Sequence, residues 1–390
     1  MTDASSPVLP VPLPEGDAVN LLPPDYEEVQ IIGRGIVSVT GMDGRLTPIQ
    51  RALLDAIVES MTNHALDFDA ITPITSAQYG EAMARRDLVF RTRMVHQMML
   101  HALVLRPLPD DVAARIREYA TVLRVDDGLL RAAEHFADGA YGLAAFDFER
   151  AGYTSTWTPE ASTTLHTSRE LEGAWEETVD DPTLAAQWRA LGDLPEGTLG
   201  RGVWELYRAR GFVFPGLPGS APPLLAQHDW VHVLADYGTT VENELEVFAY
   251  IARANDDPRG FSLLAMVISL FETGYLPTGM GLFQYDMGHL TDDVAVRIAD
   301  ALYRGAASKN TVTGDTSLDF LGIDWFALAD LPVEEVRAMV AIPEKSEAAR
   351  RAGSVGPWEP GGISAFQLAA GRALAEAEGR EYDSHGAAVA

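Results

Sequence analysis

Two histidines four residues apart, in the run His228-Asp229-Trp230-Val231-His232, restrict this chain more than any other feature. On an α-helix that spacing sets the rings about 40° apart around the axis, with Asp229 within roughly 100° of both. Gly238 breaks such a helix soon after, and Thr239 is placed to cap a second one, with Glu242 completing a capping box. Glu244, twelve residues after His232, then falls in the first turns of the returning helix. A fold that honours this pattern contains a tight helix–turn–helix hairpin with His228, Asp229, His232 and Glu244 on its inside. Imidazoles converging with carboxylates are what a divalent ion such as zinc takes as ligands. The competing reading is a helix whose histidines are satisfied by ordinary hydrogen bonds. Glu242 and Glu246, flanking Glu244 in an acid-rich chain, keep that reading open.

The neighbouring residues add a resemblance. The run Leu194-Pro195-Glu196-Gly197-Thr198-Leu199-Gly200-Arg201, then Tyr207 and Gly211-Phe212, precedes the histidines. Gly238-Thr239-Thr240-Val241 lies between His232 and Glu244, and Ile323-Asp324-Trp325-Phe326 with Leu331-Pro332-Val333-Glu334-Glu335 follows later. This order resembles the ubiquinone-biosynthesis family known as Coq-four, whose signature is His-Asp-x-x-His, eleven residues, then Glu. The likeness spans about residues 165–345, under half of the chain, and the His/Asp/Glu signature is its specific part. It implies a largely helical fold, one divalent metal (usually taken as zinc) on His228, Asp229, His232 and Glu244, and an apolar groove for a polyprenyl chain. The implied activity is removal of the ring carboxylate from a polyprenylated hydroxybenzoate, with or without hydroxylation at the same carbon. Asp229 and Glu244 are the expected catalytic carboxylates. Implied partners are an apolar aromatic or prenylated small molecule, a second copy of the chain, and other enzymes of the pathway. An extra N-terminal helical domain and the absence of a targeting signal depart from the family's eukaryotic pattern.

Composition narrows the classes. A net charge of −28 argues against binding a nucleic-acid backbone and against docking on an anionic membrane by charge. There is no cysteine, so disulfides, thiolate ligands and a thiol nucleophile are excluded, and a transition metal must sit on imidazole and carboxylate. The longest apolar candidate, Phe261 to Phe271, is too short for the ~20 residues of a membrane span. Met1 to Pro24 is acidic and proline-rich, with neither a presequence nor a secretory pattern. A cytoplasmic protein is the expectation, and any membrane contact would be peripheral and hydrophobic.

Along the chain, residues 1–44 read as a leader: extended to about residue 25, with a short strand from Val29 to Val39 interrupted by Gly33 and Gly35. Thr47-Pro48-Ile49-Gln50 is a helix start. Helices are expected over 48–63, 78–105, 110–123 and 126–150, forming an N-terminal helical domain, 45–152. A loop rich in Thr and Ser, Tyr153 to Ser168, separates it from a metal-binding helical domain, 165–345. That second unit is expected to hold helices over 182–191, 196–211, 224–237, 240–254, 259–272, 290–305 and 332–341. The tail, 346–390, reads as partly disordered for want of large apolar groups, with one helix at 363–378. The fold class is mainly α, in two helical units.

Other residues fit structural roles. His96 and His101, five apart, do not share a helical face, and His64, His135 and His289 are isolated. Met94, Met98 and Met99 read as core filling. Gly274 to Gly281 lacks the lysine and strand–turn–helix setting of a phosphate cradle. Glu176, Glu177, Asp180 and Asp181 read as a solvated helix end. The apolar segments 203–214 and 261–271 could line a tunnel for an isoprenoid, and core is the favoured reading. Two other functional classes stay open. One is a protein that holds a prenylated intermediate for partner enzymes. The other is a phosphohydrolase in which His166 stands beside Asp229.

Overall fold

The computed structural model describes residues 24–103, 109–125, 180–220, 226–254 and 291–388, apart from a few single positions, together with Leu264. Thirteen α-helices are found among the described residues, with no strand beyond two isolated bridges. They are α1 (Tyr26–Thr40), α2 (Pro48–Thr62), α3 (Ser76–Met83), α4 (Leu88–Leu103) and α5 (Asp110–Leu123) in the N-terminal part. After them come α6 (Pro182–Ala190), α7 (Leu199–Arg210), α8 (Gln227–Ala235), α9 (Val241–Ala254), α10 (Asp292–Ala307), α11 (Val333–Met339), α12 (Glu347–Arg351) and α13 (Ala365–Ala377). The mainly α expectation is met. The expected helices over 126–150 and 259–272 lie outside the described residues, as do residues 1–23.

Two expectations in the N-terminal part are corrected. The segment from Val29 to Val39 is helix α1, not a strand, and it begins inside the supposed leader. Asp25 and Glu28 form a full capping box at its start. Val29, Ile32 and Ile36 recur at helical spacing and are buried. The glycines that suggested a broken strand serve close packing instead: a Cβ on Gly35 would stand 2.3 Å from the Tyr79 ring. The long helix expected over 78–105 is two helices, because Asp87 restarts the chain by accepting from the Phe90 N–H at 2.8 Å.

The C-terminal half carries the site. α9 lies along α10, and α10 also packs against α2 from the N-terminal part. The buried aromatics Trp188, Tyr207, Trp230 and Trp325 stack through this half with Phe326 against them. The runs 194–201 and 331–335 meet directly. Leu199 and Gly200 donate their N–H groups to the carbonyls of Leu331 and Ala329, and a Cβ on Gly200 would press on Ala329 at 2.8 Å.

In the tail, α13 meets the helix expected over 363–378, and residues 346–388 also form α12 and turns that press against the site's turn through the carbonyls of Val355 and Gly362. No described helix is long and apolar enough to cross a membrane.

Candidate metal centre

Helix α8 is buried along almost its whole length, from His228 to Ala235. It ends at Asp236, a non-glycine residue in the left-handed region (φ 64°), a conformation aspartate tolerates better than most. Gly238 then turns the chain where a side chain has no room, since a Cβ would meet Asn243 at 2.6 Å and Gly362 at 2.7 Å. The cap of α9 sits one residue later than the sequence suggests. Asn243 accepts from the Thr240 N–H and hydroxyl, so Thr240 and Asn243 replace Thr239 and Glu242 in that role. Thr239 turns its hydroxyl to Gln367 of α13 at 2.7 Å.

The hairpin brings all four expected residues together. The imidazoles of His228 and His232 lie with centroids 5.2 Å apart. His228 Nε2 stands 3.3 Å from one oxygen of Glu244, and His232 Nε2 stands 3.2 Å from the other. Asp229 Oδ1 is 3.5 Å from His228 Nε2. One ligand atom each from His228, Asp229 and His232 falls within 4.8 Å of the other two. A tetrahedral ion with ligands at about 2.0–2.1 Å separates neighbouring ligand atoms by about 3.4 Å. Three pairs, His232–Glu244, His228–Glu244 and His228–Asp229, stand near that edge at 3.2, 3.3 and 3.5 Å, and two imidazoles with carboxylates are donors of the kind a dication takes.

Three of these side chains are held from behind. His232 Nδ1 is 2.7 Å from the Gly238 carbonyl, so Nδ1 carries the proton and Nε2 faces the centre. His228 stacks on Phe248 of α9 at 5.0 Å. Tyr207 of α7 donates its hydroxyl to Asp229 Oδ2 at 2.6 Å. Burial, then the neighbouring Asp229 charge, pushes the Tyr207 phenol well above its ordinary range, so it remains a donor at neutral pH. Burial raises Asp229, while the two imidazoles act in the opposite sense. Burial would also raise Glu244, but His232 and His228 outweigh it and hold that carboxyl at about 2. Arg210 lies fully buried beneath, bonded to Thr239 at 2.6 Å and to the carbonyls of Pro357 and Gly362 at 2.8 and 2.9 Å.

Glu242 and Glu246 stay out of the cluster. Glu246 faces the other side of α9, where Arg297 and Asn243 donate to it at 2.7 and 2.8 Å. The histidines set aside from sequence behave as expected where described. His101 is buried, its Nδ1 2.7 Å from the Gln97 carbonyl, and burial lowers its pKa to about 4. His64 packs edge-on to Tyr26. His135, His166 and His289 lie outside the described residues, as do Glu176, Glu177 and residues 274–281. Met94, Met98 and Met99 are core, and Asp181 caps α6. Leu206, Tyr207 and Phe214 of the apolar segment 203–214 are buried in the aromatic core. Sequence reasoning missed Tyr207 as the partner of Asp229, although it stands in the run that carries the resemblance. It also missed Arg210, which only its position between that run and the glycine turn could have suggested.

No family model matches the chain, and no curated protein matches it. Among solved structures it is similar to a candidate ubiquinone biosynthesis protein from Nostoc punctiforme. The two share 24% identity at a TM-score of 0.33, over 55% of this chain and 96% of that one.

Proposed function

We propose that this chain is a metal-dependent enzyme of the Coq-four type. It would hold one divalent ion, zinc in the first instance, and remove a carboxylate from an aromatic acid of the prenylated hydroxybenzoate class. The observation that carries the reading is the convergence of two Nε2 atoms and two carboxylates at ligand–ligand spacing in a buried hairpin. His228, His232 and Glu244 would hold the ion, with Asp229 as a fourth ligand or as the group that handles a proton. A dication bound there supplies positive charge that stabilises an anionic carboxylate or phenolate and the ring charge left as carbon dioxide departs.

The chain's own residues define the rest. Loss of carbon dioxide leaves an electron pair on the ring carbon, and that carbon must then take a proton. Asp229, raised by burial against the opposing pull of the two imidazoles and the Tyr207 hydroxyl, is the group suited to carry one. Glu244, held down near 2, stays anionic and is suited to ligation rather than proton delivery. The test is release of labelled carbon dioxide from carboxyl-labelled 3-prenyl-4-hydroxybenzoates by zinc-loaded protein, alongside metal analysis. Release that is lost in His228→Ala with His232→Ala supports the reading. Full metal loading with no release from any chain length would remove the decarboxylase assignment.

A further inference from the structure

Helix α8 is only nine residues long, and the carbonyls of its last turn are enclosed by protein. The His232 carbonyl is satisfied locally by the Tyr237 N–H at 2.9 Å. The next three are taken by side chains from distant helices. Arg337 of α11 forks onto two of them, its Nε donating to Leu234 at 2.6 Å and its terminal nitrogen to Val233 at 3.0 Å. Arg304 of α10 donates to Ala235 at 2.8 Å and lies over the Tyr237 ring at 4.8 Å. Together the two guanidiniums close the end of the helix that carries both histidines. They also hold the turn whose Gly238 carbonyl orients the His232 ring.

We propose that Arg337, with Arg304 behind it, is a positioning residue for the metal centre. By locking the last turn of α8, it fixes where His232 Nε2 stands relative to Glu244. The proposal rests on the metal reading given above. Positioning and a charge effect predict opposite changes. A guanidinium near a dication repels it, so deleting the charge alone would tighten metal binding, whereas loosening the helix end would weaken it. The sign of the change therefore separates the two causes. Arg337 suits the experiment because its charged partner Glu334 is 80% exposed, so its replacement leaves no buried unpaired charge.

The experiment titrates the full chain, freed of metal, with Zn²⁺ and with Co²⁺, comparing wild type, Arg337→Gln and Arg337→Lys. Circular dichroism of the metal-free proteins confirms that each is folded. Both variants are expected to bind about tenfold more weakly, the scale of loss found for outer partners of metal ligands. Their cobalt absorption bands at saturation should differ from those of wild type. Lysine should not rescue, since one ammonium cannot reproduce a fork onto two carbonyls. Unchanged or tighter affinity with an unaltered cobalt spectrum would overturn the proposal, as would full rescue by Arg337→Lys. A wild-type protein that binds neither ion would instead overturn the metal reading itself. Should Arg337→Gln fail to fold, Arg337→Lys keeps the charge and decides the question by its cobalt spectrum.

Discussion

Tyr207 and Asp229, on different helices, are joined by a buried hydrogen bond of 2.6 Å that leaves the other carboxylate oxygen facing His228. The phenol fixes which oxygen of Asp229 is free and which way it points. Tyr207→Phe keeps the aromatic packing against Trp188 and Phe214 and removes that one donor. Zinc affinity is expected to fall about tenfold. The metal-free protein should lose about 1–3 kcal/mol, the cost of leaving a buried acceptor unsatisfied. Isothermal titration and thermal melting measure the two effects separately.

The three glutamates of α9 should divide cleanly. Glu244→Gln is expected to weaken metal binding tenfold or more, about 1.4 kcal/mol at least, because a neutral amide is a poor ligand for a dication. Glu246→Gln should leave metal binding intact and destabilise the fold by about 3 kcal/mol, since it leaves Arg297 buried without its counter-charge. Glu242→Gln should also leave metal binding intact. Equal loss of metal from all three variants would mean a diffuse acidic field rather than a defined ligand.

Acid should weaken the N-terminal helices through Glu28. Burial works to raise this carboxyl, but Arg86 and Arg85 on its oxygens and the backbone of Asp25 hold it at about 2, against an ordinary 4.5. A carboxyl depressed in the folded state contributes stability that is present above the unfolded value, here 4.5. That contribution is lost as pH falls through the folded value, near 2. The contribution is at most about 3 kcal/mol, since Arg85 is largely exposed and its pairing is screened. Denaturant melts of wild type and Glu28→Gln should differ at pH 6 and converge toward pH 2. Parallel curves across that range would show that the pair contributes nothing.

The proposed division into 45–152 and 165–345 can be tested by cutting the chain. Limited proteolysis is expected to cleave first in the Thr- and Ser-rich segment 153–168. Because α2 lies against α10, the two fragments should remain together on native gel filtration and part only in denaturant. Fragments that separate at once would show that this packing adds little to stability.

What the sequence disclosed and what it concealed follow from the range of the forces involved. The helices carrying His228, His232 and Glu244 were legible because helical spacing is a local property, and the same spacing is enough to bring these side chains near one another. The cap of α9 was misplaced by one residue because Thr239 and Thr240 offer the same hydroxyl. Only a distant partner, Gln367, shows which of them is otherwise engaged. α1 was misread because Gly33 and Gly35 lower helix propensity, and the rings and side chains they accommodate belong to later segments. Arg304 and Arg337 could not be found from sequence at all, since each acts on carbonyls about seventy or a hundred residues away.

Residues 355–362 lie against the turn between α8 and α9. The Val355 carbonyl accepts from Gly238, and the Gly362 carbonyl accepts from Thr239 and Arg210. This gives the assembly of the centre an order in time. A nascent chain carries both imidazoles and Glu244 well before it carries Gly362, so for that interval it has these side chains without the wall that holds their turn. On the metal reading proposed above, an ion that meets the chain early would find loose donors, and retention would follow docking of the C-terminal segment.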